Sequence, residues 1–332
     1  MKLLVDKFNR THNYLRISVT DKCNLRCNYC LPNEDIIWKT KSELLNFDEI
    51  LRIVNVGAKL GITKIRLTGG EPLIRNNIEY LIKEIHNTSG IEKVSITTNG
   101  ILLANRIDSI QNSINSINLS LDTFNKQKFF SITNRDFFDE TINGINSALE
   151  STIKIVKLNC VVIKGLNDNE ILDFVDFAFN NKIQVRFIEF MPFASNSWSL
   201  DKCLTMEEII FEISKKYDLI LMEKEPNYVS NDFKIVCKNT KETGLGSLGI
   251  IASNSQPFCS VCSRLRLTAE GMLMSCLHSP QEFDLKSALR NGSSDSDLEN
   301  IFFNAINSKQ KEHLQVEELN LNTNRIMIQI GG

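Results

Sequence analysis

From Tyr14 to Pro192 the chain alternates between short β-branched runs and longer stretches with helical spacing, and this alternation limits the fold more than any other feature. Six strands are predicted, at about 14–20, 63–68, 93–98, 115–121, 154–163 and 183–190. Helices such as 47–60, 76–87 and 167–181 separate them. The helix at 47–60 stops before Gly61, a residue that takes the left-handed conformation at little cost. Repeated βα units imply a parallel sheet with right-handed crossovers. Periodicity alone does not say whether such a sheet closes. The strands add a hint, because Arg16, Arg66, Lys157 and Arg186 stand where a filled barrel would want branched apolar side chains. In Leu15-Arg16-Ile17-Ser18-Val19 the apolar residues share one face, while Arg16, Ser18 and Thr20 share the other. One face of the sheet is built for a polar ligand.

Beyond Pro192 the alternation ends. A helix is expected at about 205–217, then short strand-like pieces, a cysteine group from Cys259 to Cys276, and amphipathic helices at about 281–314. A boundary near Leu200 divides the chain into residues 1–200 and a C-terminal region, 201–332.

At 332 residues and 42% hydrophobic, the chain can bury a full core. Its formal net charge of −2 gives no general attraction to nucleic acid or anionic membrane, so an anionic ligand must be held by locally gathered cations. Asp6 and Lys7 interrupt the apolar start, which resembles neither a signal nor a transit peptide, and no apolar run reaches membrane-spanning length. The expected location is the cytoplasm. There, nine cysteines serve metal ligation more readily than a disulfide framework.

Cys23-x3-Cys27-x2-Cys30 follows the first strand, with no further cysteine until Cys160. Three thiolates on an iron–sulfur cluster leave one iron open to a small molecule. Structural zinc with His12 as fourth ligand is the plain alternative. Gly69-Gly70-Glu71-Pro72 follows the second strand, and its glycines would let the backbone approach a ligand closely. Thr97, Ser120, Asp122 and Met191 end later strands on the same rim. Cys259-x2-Cys262 and Cys276 form a second triplet, for which a zinc ribbon using His278 is the alternative. Between its members, Arg264 and Arg266 alternate onto one face.

The first triplet and Gly69-Gly70-Glu71-Pro72 resemble the signatures of the radical S-adenosylmethionine (SAM) superfamily. With the Arg264/Arg266 pair, the second triplet, Tyr14 to Cys27, Phe187 to Met191 and the terminal Gly331-Gly332, the chain resembles the GTP 3′,8-cyclase family. The resemblance implies an incomplete (βα)6 TIM-like parallel barrel, with a C-terminal region carrying a second iron–sulfur cluster. It implies two [4Fe-4S] clusters, on Cys23, Cys27 and Cys30 and on Cys259, Cys262 and Cys276, together with S-adenosyl-L-methionine. Tyr29, Gly70, Ser120 and Met191 would contact that cofactor. Arg16, Arg66, Thr97, Lys157, Arg264 and Arg266 would bind GTP, and Gly331 and Gly332 would enter the active site. Implied partners are a reductant such as flavodoxin or ferredoxin, the downstream cyclic pyranopterin monophosphate synthase, and a second copy of the chain.

Two features mislead. Gly244 to Gly249 fits GxGxxG, but Ile250 and Ile251 follow where a helix should begin, so a dinucleotide site and a Walker loop are both rejected. Asn9 stands where members of the family often have Gly, and Asn tolerates unusual backbone angles. Cys160, Cys203 and Cys237 are expected to be packing residues.

Overall fold

The computed structural model describes residues 2–31, 37–193, 196–223, 227–314 and 325–331. The strands are β1 (Tyr14–Ser18), β2 (Lys64–Thr68), β3 (Lys93–Thr98), β4 (Ser116–Ser120), β5 (Ile155–Val162) and β6 (Gln184–Glu189), followed by β7 (Tyr217–Leu221), β8 (Asn231–Cys237), β9 (Thr243–Ile251), β10 (Arg264–Leu267), β11 (Met272–Met274) and β12 (Phe283–Asp284). The helices are α1 (Phe47–Lys59), α2 (Ile78–Asn87), α3 (Ile107–Ile110), α4 (Lys126–Thr133), α5 (Phe138–Glu150), α6 (Ile171–Asn180), α7 (Met206–Ser214), α8 (Leu285–Arg290) and α9 (Asp295–Asn307). The six expected βα strands are all present, β1 ending two residues early. No helix among the described residues is long and apolar enough to cross a membrane.

All strands join one open sheet, ordered β12-β11-β10-β1-β2-β3-β4-β5-β6-β9-β8-β7. Its middle, from β10 through β6 to β9, is parallel. The segment after residue 200 is therefore part of the same sheet. It adds a parallel strand at each edge, β10 beside β1 and β9 beside β6, and the flanking strands run antiparallel.

One side of the sheet is apolar. Leu15, Ile17, Ile65, Leu67, Leu158, Val185 and Phe187 are fully buried in one continuous core with α1 residues Ile50, Ile53 and Val54. Each such side chain contributes roughly 1.5–3 kcal/mol by leaving water. Local signals start and stop the helices that cover this side. Asn46 and Glu49 form a reciprocal cap at the start of α1, and Gly61 follows its end with φ 91°. Asn9 has φ 60°, as its place in the N-terminal turn requires.

The other side is polar because register aligns its residues into rows. Arg266, Arg16, Arg66, Ser95 and Ser116 are successive partners across β10, β1, β2, β3 and β4. A second row runs Thr97, Asn118, Lys157, Gln184 and Ser247. The third is Ser120, Asn159, Arg186 and Gly249.

The GxGxxG segment is strand β9. A Cβ on Gly246 would meet the carbonyl oxygens of Ile183 at 2.1 Å and Asn181 at 2.5 Å, and one on Gly244 would meet the Phe179 ring at 2.8 Å. These glycines let α6 close onto β9.

Candidate active site

The first cysteine loop leaves the C-terminal end of β1 and is fastened to its neighbour. Gly70 N–H donates to the Thr20 carbonyl at 2.8 Å, and Glu71 N–H to that of Lys22 at 2.8 Å. A Cβ on Gly70 would sit 2.3 Å from the Lys22 carbonyl oxygen, and Gly69 has φ 156° with its Cβ position 2.6 Å from that of Thr20. The close approach foreseen for these glycines is thus made first to the cysteine loop itself. The Gly70 carbonyl accepts no hydrogen bond among the described residues and remains available to a donor. Glu71 is buried and accepts from Leu73 N, Thr98 Oγ1 and Asn99 N, at 3.0, 2.7 and 2.7 Å. Burial outweighs these bonds and pushes its carboxyl up to about 7. Asn99, so held, reaches Asn24 at 2.7 Å and the Cys23 sulfur at 3.9 Å.

Burial raises all three thiols, Cys23 to about 11, Cys30 to about 12 and Cys27 well above the usual thiol range. Cys27 is also raised by Cys30 and Cys23, so the three feel one another's charge. Neutral as bare thiols, they would ionise on a cationic iron core that supplies the missing charge. Among the described residues no three His, Cys, Asp or Glu converge on a single ion. A cubane asks for a different arrangement, one thiolate on each of three irons. His12 lies away from this triplet: its ring is bonded to Asp6 at 3.0 Å and it senses Lys309, which touches Cys262. The zinc alternative for the first triplet loses its fourth ligand.

Tyr29 donates to Asp122 Oδ2 at 2.5 Å, and Val161 N–H donates to Asp122 Oδ1 at 2.8 Å. Burial lifts Asp122 to about 6, and the bond fixes the Tyr29 ring. Ser120 ends β4 opposite Asn159. Met191, after β6, packs beside Phe193, Met274 and Ile330.

The second triplet stands at the other end of the parallel strands. Cys262 precedes β10, and Cys276 follows β11, which returns antiparallel to it, so both lie at the N-terminal end of β10. Burial raises Cys262, but Lys309 and Arg264 together leave it lowered; hydrogen bonds from His313 do the same for Cys259. Cys276 is raised by burial. Soft sulfur donors in cationic surroundings suit an anionic thiolate-ligated cluster. His278 stacks on Phe193, with ring centroids 5.4 Å apart, and faces His313 at 5.5 Å.

Between the triplets lies the cationic row. Burial, then Arg266, depresses Arg16 well below the usual guanidinium range; burial, then Arg264, holds Arg266 at about 10. Such mutual repulsion is relieved by an anion. Arg66 donates through Nε to the Tyr14 hydroxyl and through Nη1 to Thr97 Oγ1 at 3.4 Å. Burial raises Tyr14, but Arg66, Arg16 and Arg264 bring it down to about 7. Lys157 donates to Tyr228 at 2.5 Å; burial, then Arg186, lowers it to about 7. Arg264 lies over the Phe258 ring at 5.2 Å.

The C-terminal tail enters this space. Ile328 N–H bonds the Cys30 sulfur, the Ile330 carbonyl accepts from Arg266 at 3.3 Å, and that of Gly331 from Arg16 at 3.4 Å. Gly332 lies outside the described residues. The sequence could have yielded Tyr14, two residues before Arg16 on the same face. Lys309, His313 and Tyr228 carried no signal, being ordinary residues in polar segments.

Residues 17–178 match the Radical SAM superfamily, and residues 183–315 match Molybdenum Cofactor Synthesis C. The chain is 42% identical to molybdenum cofactor biosynthesis protein 1 of Dictyostelium discoideum, over 99% of this chain and 52% of that protein. It thus spans about half the length of that relative. It is 41% identical to a GTP 3′,8-cyclase of Desulforamulus reducens, over 99% of this chain and 100% of that one. Among solved structures, Streptococcus suis SuiB bound to precursor peptide SuiA superposes with a TM-score of 0.61 at 18% identity, over 92% of this chain and 69% of that one, a likeness of fold.

Proposed function

This chain belongs to the GTP 3′,8-cyclase family of the radical SAM superfamily, and on that premise we propose that it converts GTP to (8S)-3′,8-cyclo-7,8-dihydro-GTP, the first step of molybdenum cofactor biosynthesis. The observation that carries this reading is the row Arg266–Arg16–Arg66, aligned across three parallel strands between two cysteine triplets. A peptide substrate would have no use for such a row.

Cys23, Cys27 and Cys30 would hold one [4Fe-4S] cluster. When bound with S-adenosyl-L-methionine, it supplies one-electron cleavage of that cofactor and a hydrogen-abstracting carbon radical. The protein's part is binding and orientation. Tyr29, fixed by Asp122, would set the adenine, the Gly70 carbonyl would take the amino group, and Ser120 and Met191 would line the rest. Arg16, Arg66, Lys157, Arg264 and Arg266 would hold the triphosphate, five cations against a tetra-anion, with Thr97 as a further contact. Cys259, Cys262 and Cys276 would hold a second [4Fe-4S] cluster whose open iron faces the guanine. Gly331 and Gly332, at the end of the tail, would enter the site and aid catalysis.

In this reading residues 1–200 form the radical SAM partial barrel and 201–332 carry the second cluster and the Gly-Gly tail, while both parts contribute cations to the nucleotide. The enzyme works in the cytoplasm as a homodimer, takes electrons from a flavodoxin or ferredoxin, and passes its product to cyclic pyranopterin monophosphate synthase. The test is an anaerobic incubation with GTP, S-adenosyl-L-methionine and a strong reductant. Formation of 5′-deoxyadenosine that depends on GTP, by protein holding about eight irons per chain, supports the reading. Formation at the same rate without GTP overturns it.

A further inference from the structure

Lys309 is only 3% exposed, yet among the described residues none of its bonds goes to a carboxylate. Its ammonium donates to the Arg264 carbonyl at 3.0 Å and to the Cys262 sulfur at 3.6 Å. A buried cation is costly unless an anion compensates it. Asp6 is the nearby acid, but it is taken by Arg10 at 2.6 Å and His12 at 3.0 Å. The remaining groups that touch this pocket from β10, Arg264 and Arg266, are also cationic. Among the described residues the cysteine sulfurs are left to carry the negative charge, Cys262 in direct contact and Cys276 close enough to sense the ammonium.

The segment bearing Lys309 is fixed to the cysteine loop. The buried Arg10 guanidinium donates to the carbonyls of Cys259 at 2.8 Å, Lys311 at 2.8 Å and Gln310 at 2.7 Å. Lys309 N–H closes the end of α9 on Ile306 at 3.1 Å. The N-terminal turn, the cysteine loop and the end of α9 thus form one buckle, with the ammonium set against the sulfur.

We propose that Lys309 is a positioning residue for the second cysteine triplet: its fixed positive charge, hydrogen-bonded to Cys262, retains the second iron–sulfur cluster and raises its reduction potential. This rests on the reading that the triplet holds a cluster. A cation beside the cluster favours the reduced, more negative state, so its removal makes reduction harder. Hydrogen bonds to ligating sulfur act in the same direction.

The experiment uses full-length protein with Cys23→Ser, Cys27→Ser and Cys30→Ser, reconstituted anaerobically so that only the second triplet is loaded. A redox titration followed by electron paramagnetic resonance, and iron release to a chelator, are compared for this parent and for Lys309→Met, Lys309→Gln and Lys309→Arg. Met and Gln should shift the midpoint to more negative potential and release iron about tenfold faster or more, while Arg stays near the parent. Gln keeps a donor and covers a failure of the Met variant to fold. Unchanged midpoint and release in the neutral variants overturn the role of Lys309. A parent that binds no cluster overturns the second-cluster reading instead.

Discussion

Arg16 and Gly331, 315 positions apart in sequence, share a hydrogen bond of 3.4 Å from the Arg16 guanidinium to the Gly331 carbonyl. The tail is thereby tied to the strand that leads into the first cysteine loop. Gly331 has φ 78°, and a Cβ there would meet Thr68 Oγ1 at 2.4 Å and Ser18 Cβ at 3.1 Å. Gly331→Ala should therefore displace the tail at a cost of about 1–3 kcal/mol. GTP-dependent 5′-deoxyadenosine formation should fall at least about tenfold, while iron content holds and the melting temperature drops by no more than a few degrees. Unimpaired turnover would show that the tail is not needed in place.

Arg266 sits beside Arg16 on the neighbouring strand and is buried. Replacing it by Ala should weaken GTP binding about 10- to 100-fold, the worth of a hydrogen bond to a charged group. Both clusters should remain, because the residue is no ligand. Isothermal titration with GTP, beside iron analysis, measures both.

Lys157, lowered to about 7 by burial and then by Arg186, is mostly neutral at pH 8. A bound triphosphate favours the ammonium and raises its pKa, so GTP binding should take up a proton at pH 8 and none well below pH 7. Affinity through this group should fall as pH rises from 7 to 9. Calorimetry in buffers of different ionisation enthalpy reads the uptake, and Lys157→Met should reduce it, leaving the part that belongs to Tyr14, which is also held at about 7 beside Arg66.

Gly246→Ala places a Cβ 2.1 Å from the Ile183 carbonyl oxygen. Backbone cannot retreat as a side chain does, so the change should cost about 2–3 kcal/mol of stability. Thermal unfolding checks this; no loss would mean that α6 shifts freely over β9.

The strand–helix alternation was legible because β1 to β6 each bury one face of branched residues, which leaves a period in the sequence. The basic residues on those strands were legible for the same reason. The edges were not. β10 is only four residues long, and nothing in Arg264 to Leu267 says that it pairs in parallel with β1 across 250 positions of chain. The glycines of β9 look like a phosphate loop, although their cause is packing against α6 and the loop before β6. Arg10 and Lys309 were invisible because a buried cation and a surface cation read alike until the fold brings carbonyls and sulfur to them.

The central claim is that the radical takes hydrogen from the ribose of a nucleotide held between the two triplets. The direct measurement is anaerobic turnover with GTP deuterated at the ribose 3′ position, followed by mass spectrometry of the 5′-deoxyadenosine. Deuterium should appear in that product, and GTP deuterated elsewhere on the ribose should give none. If 3′-deuterated GTP yields only unlabelled 5′-deoxyadenosine, the account is contradicted.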